Sequence, residues 1–323
     1  MRIAILDLGT NTFNIFIADL HPIKQMDRLS EDTGKNGSAH FKKLYKSKIA
    51  VKLGEGGINT NVIAEAPFNR GIGALKMHKK RIKEFGVEKV IAVATSAIRS
   101  ARNGMDFIRS AKEATGIEVE VISGGREAEL IYYGVRSAVN MNNTPSLIID
   151  IGGGSTEFII GTSKEILWKH SFLLGAARLL EQFNPSDPIT QEEIQQIEYH
   201  LEQNLQPLYD AIQKYPVTEL IGSSGSFDSL AEMIGYHFYD ADILKGKTEY
   251  EFNLNDCEKI YEMLRNSTTK ERLSMKGLVR MRVDMIVVSV VFIRFIMRRL
   301  NLKKMRLSTY SLKEGVLWEL MHS

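Results

Sequence analysis

Two segments limit what this chain can fold into more than any others. Asp7-Leu8-Gly9-Thr10-Asn11-Thr12 and Asp150-Ile151-Gly152-Gly153-Gly154-Ser155-Thr156-Glu157 each follow a short apolar run and precede a returning one. Both read as tight turns joining two strands, built from Asp, Gly and hydroxyl residues. One opens each half of the chain. This internal echo predicts two duplicated units that present their turns to a common cleft. A Gly-rich turn lets successive backbone N–H groups point into one concavity, where an anionic oxygen can sit.

The surrounding pattern is that of an α/β protein. Ile3–Leu6, Phe13–Leu20 and Ile49–Leu53 read as an opening three-stranded meander, with the polar stretch Asp27–Lys48 as a long, mobile hairpin loop. A helix over Asn69–Phe85, the strand Val90–Ala94 and a helix around Met105–Ala114 follow. The second half repeats this opening with strands at Ser146–Asp150 and Glu157–Gly161, then a helix near Gly175–Phe183. Thr190 and Glu193 form a capping box. They start one amphipathic rod carrying Ile194, Ile197, Leu201, Leu205, Leu208 and Ile212. A short strand at Val217–Ile221 and helices around Asp256–Leu264, Val283–Leu300 and Leu312–Met321 complete the chain. Strand–helix alternation implies mostly parallel sheets with hairpins added.

Composition narrows the function classes. A length of 323 residues allows two domains of ordinary size. The formal net charge of +3 is too small for a protein that coats nucleic acid, so no nucleic-acid partner is expected. Cys257 is the single cysteine, which excludes a disulfide framework and a cysteine zinc site and suits a reducing, cytoplasmic setting. Residues 1–7 place an acid after a very short apolar run, the pattern of a strand and not of a signal peptide. Met285–Met297 is too short for a membrane span and Arg294 interrupts it, so no membrane association is expected.

The chemistry then rests on the turns. Gly9, Thr10, Asn11 and Thr12 in the first, and Gly152, Gly153, Gly154, Ser155 and Thr156 in the second, are candidate phosphate-binding residues. An acid beside a phosphate is unfavourable unless a cation lies between them. Asp7, Asp150 and Glu157 are therefore candidate ligands, direct or through water, for Mg²⁺ or another hard divalent cation such as Mn²⁺. Taken singly, each Asp is an ordinary turn cap; three acids flanking two nests favour the metal. Ser96 and Arg99 follow a buried strand at its C-terminal end, where α/β sheets place ligands. Ser224, Gly225 and Ser226 open a helix whose amides favour an anion. Glu127 sits in a first helical turn, where an acid is favourable in any case; it could also orient an attacking water. Basic clusters at Lys42–Lys48, Lys76–Lys83 and Arg298–Arg306 are ordinary solvated faces unless one borders the cleft, as a long polyanion would need.

In their order along the chain these motifs resemble the exopolyphosphatase / guanosine-pentaphosphate phosphatase family, within the actin–Hsp70–sugar-kinase fold group. The two turns, Lys52-Leu53-Gly54-Glu55-Gly56, Ala94-Thr95-Ser96-Ala97-Ile98-Arg99, Ile122-Ser123-Gly124, Gly222-Ser223-Ser224-Gly225-Ser226 and Leu312-Lys313-Glu314-Gly315 carry the likeness. It implies two ribonuclease-H-like domains with a cleft between them, expected over residues 1–123 plus 308–323 and over 124–307. It implies that Glu127 activates the attacking water, with Asp150 and Glu157 helping to hold Mg²⁺. Polyphosphate or a phosphorylated guanosine nucleotide is the implied partner, and a homodimer is compatible with it.

Departures from the family pattern are visible. Arg126 stands where members usually carry a first acid before the alanine, and Lys313 where they usually carry Arg, whose bidentate contact Lys cannot reproduce. The Asp27–Lys48 loop is longer than is typical. The chain ends at Ser323 without the C-terminal helical domains of longer members, so a short-chain or nucleotide preference is expected. Two other classes compete: a phosphotransferase or chaperone-like ATPase of the same fold group, and a non-catalytic sensor of polyphosphate or an alarmone. Paired turns facing one cleft also predict domain closure, with hinges near Ser123 and Leu307.

Overall fold

The computed structural model describes residues 1–20 and 41–322. Strands β1 (Arg2–Leu8) and β2 (Thr12–Leu20) form the first hairpin, and β3 (Phe41–Ala50) pairs antiparallel with β2. Helix α1 (Glu65–Glu84), β4 (Lys89–Ala94), α2 (Ser96–Ser100), α3 (Gly104–Thr115) and β5 (Glu120–Val121) follow. The first sheet has the order β3-β2-β1-β4-β5, with β4 and β5 parallel to β1.

Helix α4 (Gly124–Ala138) leads to the second sheet. There β6 (Ser146–Ile151), β7 (Thr156–Gly161) and β8 (Ile166–Phe172) form an antiparallel meander. Next come α5 (Ala176–Phe183), α6 (Gln191–Asn204), α7 (Gln206–Lys214), β9 (Leu220–Ser223) and α8 (Gly225–Phe238). The chain continues through β10 (Glu249–Glu251), α9 (Leu254–Arg265), α10 (Thr269–Arg272), α11 (Ile286–Arg299), β11 (Met305–Ser308) and α12 (Leu312–His322). The order β10-β11-β9-β6-β7-β8 repeats the first sheet with β10 added at the edge. Each sheet thus has the ribonuclease-H-like order, a three-stranded meander extended by two parallel strands. The protein is an α/β structure of two such domains with a cleft between them.

Three differences from the sequence reading have local causes. Residues 41–48, read as part of a loop, belong to β3, whose ladder runs from Leu20↔Phe41 to Thr12↔Ala50. Its lysines made it look like loop, yet lysines suit an edge strand because they discourage pairing with another chain. The rest of that predicted loop, residues 27–40, lies outside the described residues. The rod expected from Thr190 to Ile212 is two helices, because Pro207 lies in the first turn of α7 and cannot continue α6. Its capping box is present, with Thr190 Oγ1 accepting from the Glu193 N–H at 3.2 Å. Strands β5, β8, β10 and β11 were not anticipated. Arg306 of the third basic cluster is buried in β11 and paired with Glu219 and Glu249, a structural role.

Helices α4 and α12 join the two sheets. A buried apolar cluster brings together Ile3 and Ile5 of β1, Ala128, Leu130 and Ile131 of α4, Ile148 of β6, and Leu312 and Val316 of α12. The two helices touch through glycine. A Cβ on Gly315 would run into the Leu130 carbonyl, and one on Gly134 into the Ser311 carbonyl. Leu307 is buried inside β11, so the connection back to the first sheet crosses at residues 309–311. No helix among the described residues is long and apolar enough to cross a membrane. Gly315→Ala is expected to destabilise the protein by about 3 kcal/mol, because backbone must move to admit one methyl. Thermal unfolding checks this, and an unchanged melting temperature would refute so tight a crossing.

Candidate active site

The two hairpins are the same device used twice. In the first, the Gly9 N–H donates to the Thr12 carbonyl at 3.1 Å; in the second, the Gly152 N–H donates to the Ser155 carbonyl at 3.0 Å. Directly across the ladders, Asp7 faces Asn14 and Asp150 faces Glu157. Both turns open at the C-terminal ends of central strands into one cleft that encloses about 870 Å³ of space continuous with solvent. Glu127, from the first turn of α4, reaches the same cleft.

The second turn is held from behind by α5. The N–H groups of Ala176 and Ala177 donate to the carbonyls of Gly152 and Gly153, each at 2.9 Å. A peptide plane whose C=O is pinned on one side turns its N–H to the other. The helix start thereby aims the turn amides away from α5. A Cβ on Gly153 would collide with the Asn11 side chain, and one on Gly154 would lie 2.7 Å from both Thr10 Oγ1 and Ser96 Oγ. The two turns therefore touch across the cleft, and only glycine permits that approach.

Four carboxylates share this confined space. Asp7 accepts from Asn14 Nδ2 at 2.9 Å, and Asp150 from Ser223 Oγ at 2.8 Å. Glu157 accepts from Ser155 Oγ at 2.6 Å and Ser171 Oγ at 2.7 Å. Glu127 pairs with Arg99 Nη1 at 2.7 Å, and the same nitrogen donates to the Ile122 carbonyl at 3.1 Å. Burial pushes Asp150 up to about 6 and Glu157 up to about 7 against their hydroxyl donors. Burial, then the charge of Glu157, raises Glu127 well above the usual carboxylate range, and Arg99 only partly offsets this. Asp7 is likewise raised by burial.

Such a set fits a divalent cation held mainly through water. Among the described residues no three His, Cys, Asp or Glu side chains converge as a direct chelating group. Mg²⁺ characteristically keeps several waters and takes one or two carboxylates plus substrate phosphates. Asp7, Asp150 and Glu157 offer that pattern of acidic oxygens beside two anion nests.

The other predicted residues divide. Gly9, Thr10, Asn11, Thr12, Ser96, Gly152, Gly153, Gly154, Ser155, Ser224 and Ser226 all line the cleft. The Ser96 hydroxyl is buried without a partner. Ser224 adopts φ 71 and ψ −178, a region that non-glycine residues rarely occupy. Thr156 points away, its hydroxyl donating to the Leu174 carbonyl at 2.9 Å. Arg99 stands behind Glu127 and off the lining. Gly225 is covered by the Arg282 guanidinium, which occupies the space a side chain would need. Arg282 lines the cleft and was not foreseen. Nor were Asn14 and Ser171, although hairpin register alone would have set Asn14 opposite Asp7. Arg126 turns from the cleft to pair with Glu319 of α12 and with Glu129.

Residues 33–323 match the Ppx/GppA phosphatase family. The chain belongs to that family. As a Ppx/GppA phosphatase it is an enzyme, a hydrolase of phosphoanhydrides. A crystal structure of an exopolyphosphatase from Cytophaga hutchinsonii is 39% identical, covers 100% of this chain and 98% of its own, and superposes with a TM-score of 0.92. The Aquifex aeolicus PPX-GPPA enzyme is 27% identical over 99% of both chains, with a TM-score of 0.75. An exopolyphosphatase-like protein at 21% identity and a TM-score of 0.83 shares the fold.

A pH dependence follows from the carboxylates. A folded-state pKa raised above the unfolded value contributes stability that is complete below the unfolded value, near 4, and is lost as pH rises through the folded one. In chelator, Glu157→Gln is therefore expected to gain in melting temperature over the wild type as pH rises from 5 to 8, and Mg²⁺ to narrow the gap. A gap independent of pH would contradict this electrostatic reading.

Proposed function

We propose that this Ppx/GppA phosphatase removes the terminal phosphate of inorganic polyphosphate, using a water activated by Glu127. The observation that carries the reading is the position of Glu127. It is a buried carboxylate fixed by Arg99, in the same cleft as two glycine turns whose amides suit phosphate oxygens. The turns would hold the last phosphates of the chain. The Glu127 carboxylate would take a proton from water while the water oxygen bonds to the terminal phosphorus and the bridging P–O bond breaks toward the shortened chain. Its raised pKa strengthens it as a proton acceptor. Bound Mg²⁺, held by Asp7, Asp150 and Glu157, would supply charge neutralisation for the phosphates.

A basic track supports a linear polyanion as the substrate. Lys48 lies opposite Asn14, and Lys46 opposite Phe16, and both are close enough to Lys313 and Glu314 to feel their charge. Lys46 is an exposed residue, yet loss of water at its crowded ammonium, with the like charge of Lys313, lowers it. Lys48 is an exposed residue whose ammonium loses part of its water to its neighbours, which lowers it; Asp228, 4.0 Å away, opposes this, and Arg282 and Lys313 add to it. Burial works against the charge of Lys313, yet Glu314 at 3.1 Å and Asp7 hold its pKa up. Crowded cations of this kind gain most from an anion laid among them. The family's other named substrate type, guanosine pentaphosphate, would use less of this track.

Phosphate release with Mg²⁺ from short polyphosphate, long polyphosphate and guanosine pentaphosphate tests the proposal. Glu127→Gln is expected to lower kcat about 10²–10⁴-fold; a variant retaining a tenth of the rate would remove Glu127 from the role. Lys46→Ala with Lys48→Ala is expected to raise KM for long polyphosphate about tenfold at low salt, and less at high salt. An equal effect on all three substrates would refute the track.

A further inference from the structure

The two phosphate nests are fastened by different elements, and one side chain connects the fastenings. In the first domain, the N–H groups of Val51 and Lys52 donate to the Asn11 carbonyl, each at 2.9 Å, and that of Leu53 to the Thr10 carbonyl at 2.6 Å. The loop that follows β3 thus pins the first turn as α5 pins the second. That loop continues to Ile58 and Asn59, which lie against α5. Arg178, in the first turn of α5, bridges the two systems. Its Nε donates to the Gly154 carbonyl at 3.2 Å, and its Nη1 to the Ile58 carbonyl at 2.8 Å and to Asn59 Oδ1 at 3.3 Å. Asn59 Nδ2 returns a bond to the Arg178 carbonyl at 3.2 Å. One helical turn on, Glu181 accepts from the Gly56 and Asn59 N–H groups at 3.1 and 3.4 Å.

Ordinary packing does not explain this guanidinium. Arg178 is 8% exposed, and among the described residues no carboxylate pairs with it and its buried Nη2 has no hydrogen-bond partner. Burying an arginine on carbonyls alone is costly. A hydrophobic residue would fill the space more cheaply but could not bond both the second nest and the loop that pins the first. The flat fork of Arg reaches acceptors in two directions at once, which a lysine ammonium on a flexible stem does not.

We propose that Arg178 is a positioning residue that sets the two phosphate nests in register across the cleft. This rests on the phosphohydrolase reading, and it deepens it. The residue stands off the cleft lining. It acts through the Gly154 carbonyl on one side and the 51–59 loop on the other, so one rigid group, with Glu181 supporting the loop beside it, ties the nests together. A chain phosphate held by both turns is then presented at the distance from Glu127 that the fold sets.

The test uses Arg178→Gln and Arg178→Lys in the full-length protein, with tripolyphosphate and Mg²⁺ as the probe. Both variants are expected to raise KM and lower kcat, together at least tenfold in kcat/KM, because small misplacements of bound groups cost rate steeply. Lys, which keeps the charge, should recover little. Hydrogen exchange without substrate gives a second readout. Residues 51–61 and 150–156, distant in sequence, should loosen together while the β6–β7–β8 meander stays protected. Wild-type kinetics, or faster exchange at 150–156 alone, would overturn the inference. So would general loosening of the second domain, which would mark a merely structural role. If the wild type itself releases no phosphate, the hydrolase reading fails and the exchange pattern still decides the role of Arg178.

Discussion

The burial of four carboxylates in one space governs this cleft. Asp7, Asp150, Glu157 and Glu127 come from both domains, and burial in a common space raises the pKa of each. The fold supplies only neutral donors to three of them, from Asn14, Ser223, Ser155 and Ser171, and gives an arginine to Glu127 alone. Lys313 offsets only part of the burial of Asp7 and Asp150, so acids beside two nests that attract phosphate would oppose that phosphate unless a cation stood between them. On the proposed reading the site would take cation and polyanion together, with Glu127 held apart by its own guanidinium.

Duplication makes this economical. One hairpin design, with the same closing bond from glycine and the same facing pair across the ladder, provides Asp7 with Asn14 in one domain and Asp150 with Glu157 in the other. The copies have diverged where they meet. The second turn is three glycines because it must pass beneath Asn11, Thr10 and Ser96, whereas the first keeps the side chains that fill that space. Helices α4 and α12, crossing at Gly134 and Gly315, hold the copies together at the base and leave the turns to meet at the mouth.

Most of the turns could be read from sequence because their requirements are local. Glycine, aspartate and hydroxyls in one short run state a conformation and a chemistry at once, so Gly9–Thr12, Gly152–Ser155 and the two aspartates were legible. The family resemblance, and not local chemistry, singled out Glu127. What was missed depends on register or on distant elements. Ser171 reaches Glu157 only because β8 pairs with β7, and Arg282 reaches the cleft from a short turn after α10 whose sequence marks no ligand. Arg178 looks like an amphipathic helix residue until the 51–59 loop is placed against it. β3 was hidden by lysines that read as solvent-facing loop and stand instead on an edge strand.

The most direct measurement is a crystal structure of Glu127→Gln with Mg²⁺ and tripolyphosphate, a combination that leaves the substrate uncleaved. The terminal phosphates are predicted to lie between the Gly9–Thr12 and Gly152–Ser155 turns. The metal should be near Asp7, Asp150 and Glu157, and a water within hydrogen-bond reach of residue 127 in line with the last phosphorus. A phosphate chain bound by one turn only, or lying away from residue 127, would contradict the two-nest mechanism.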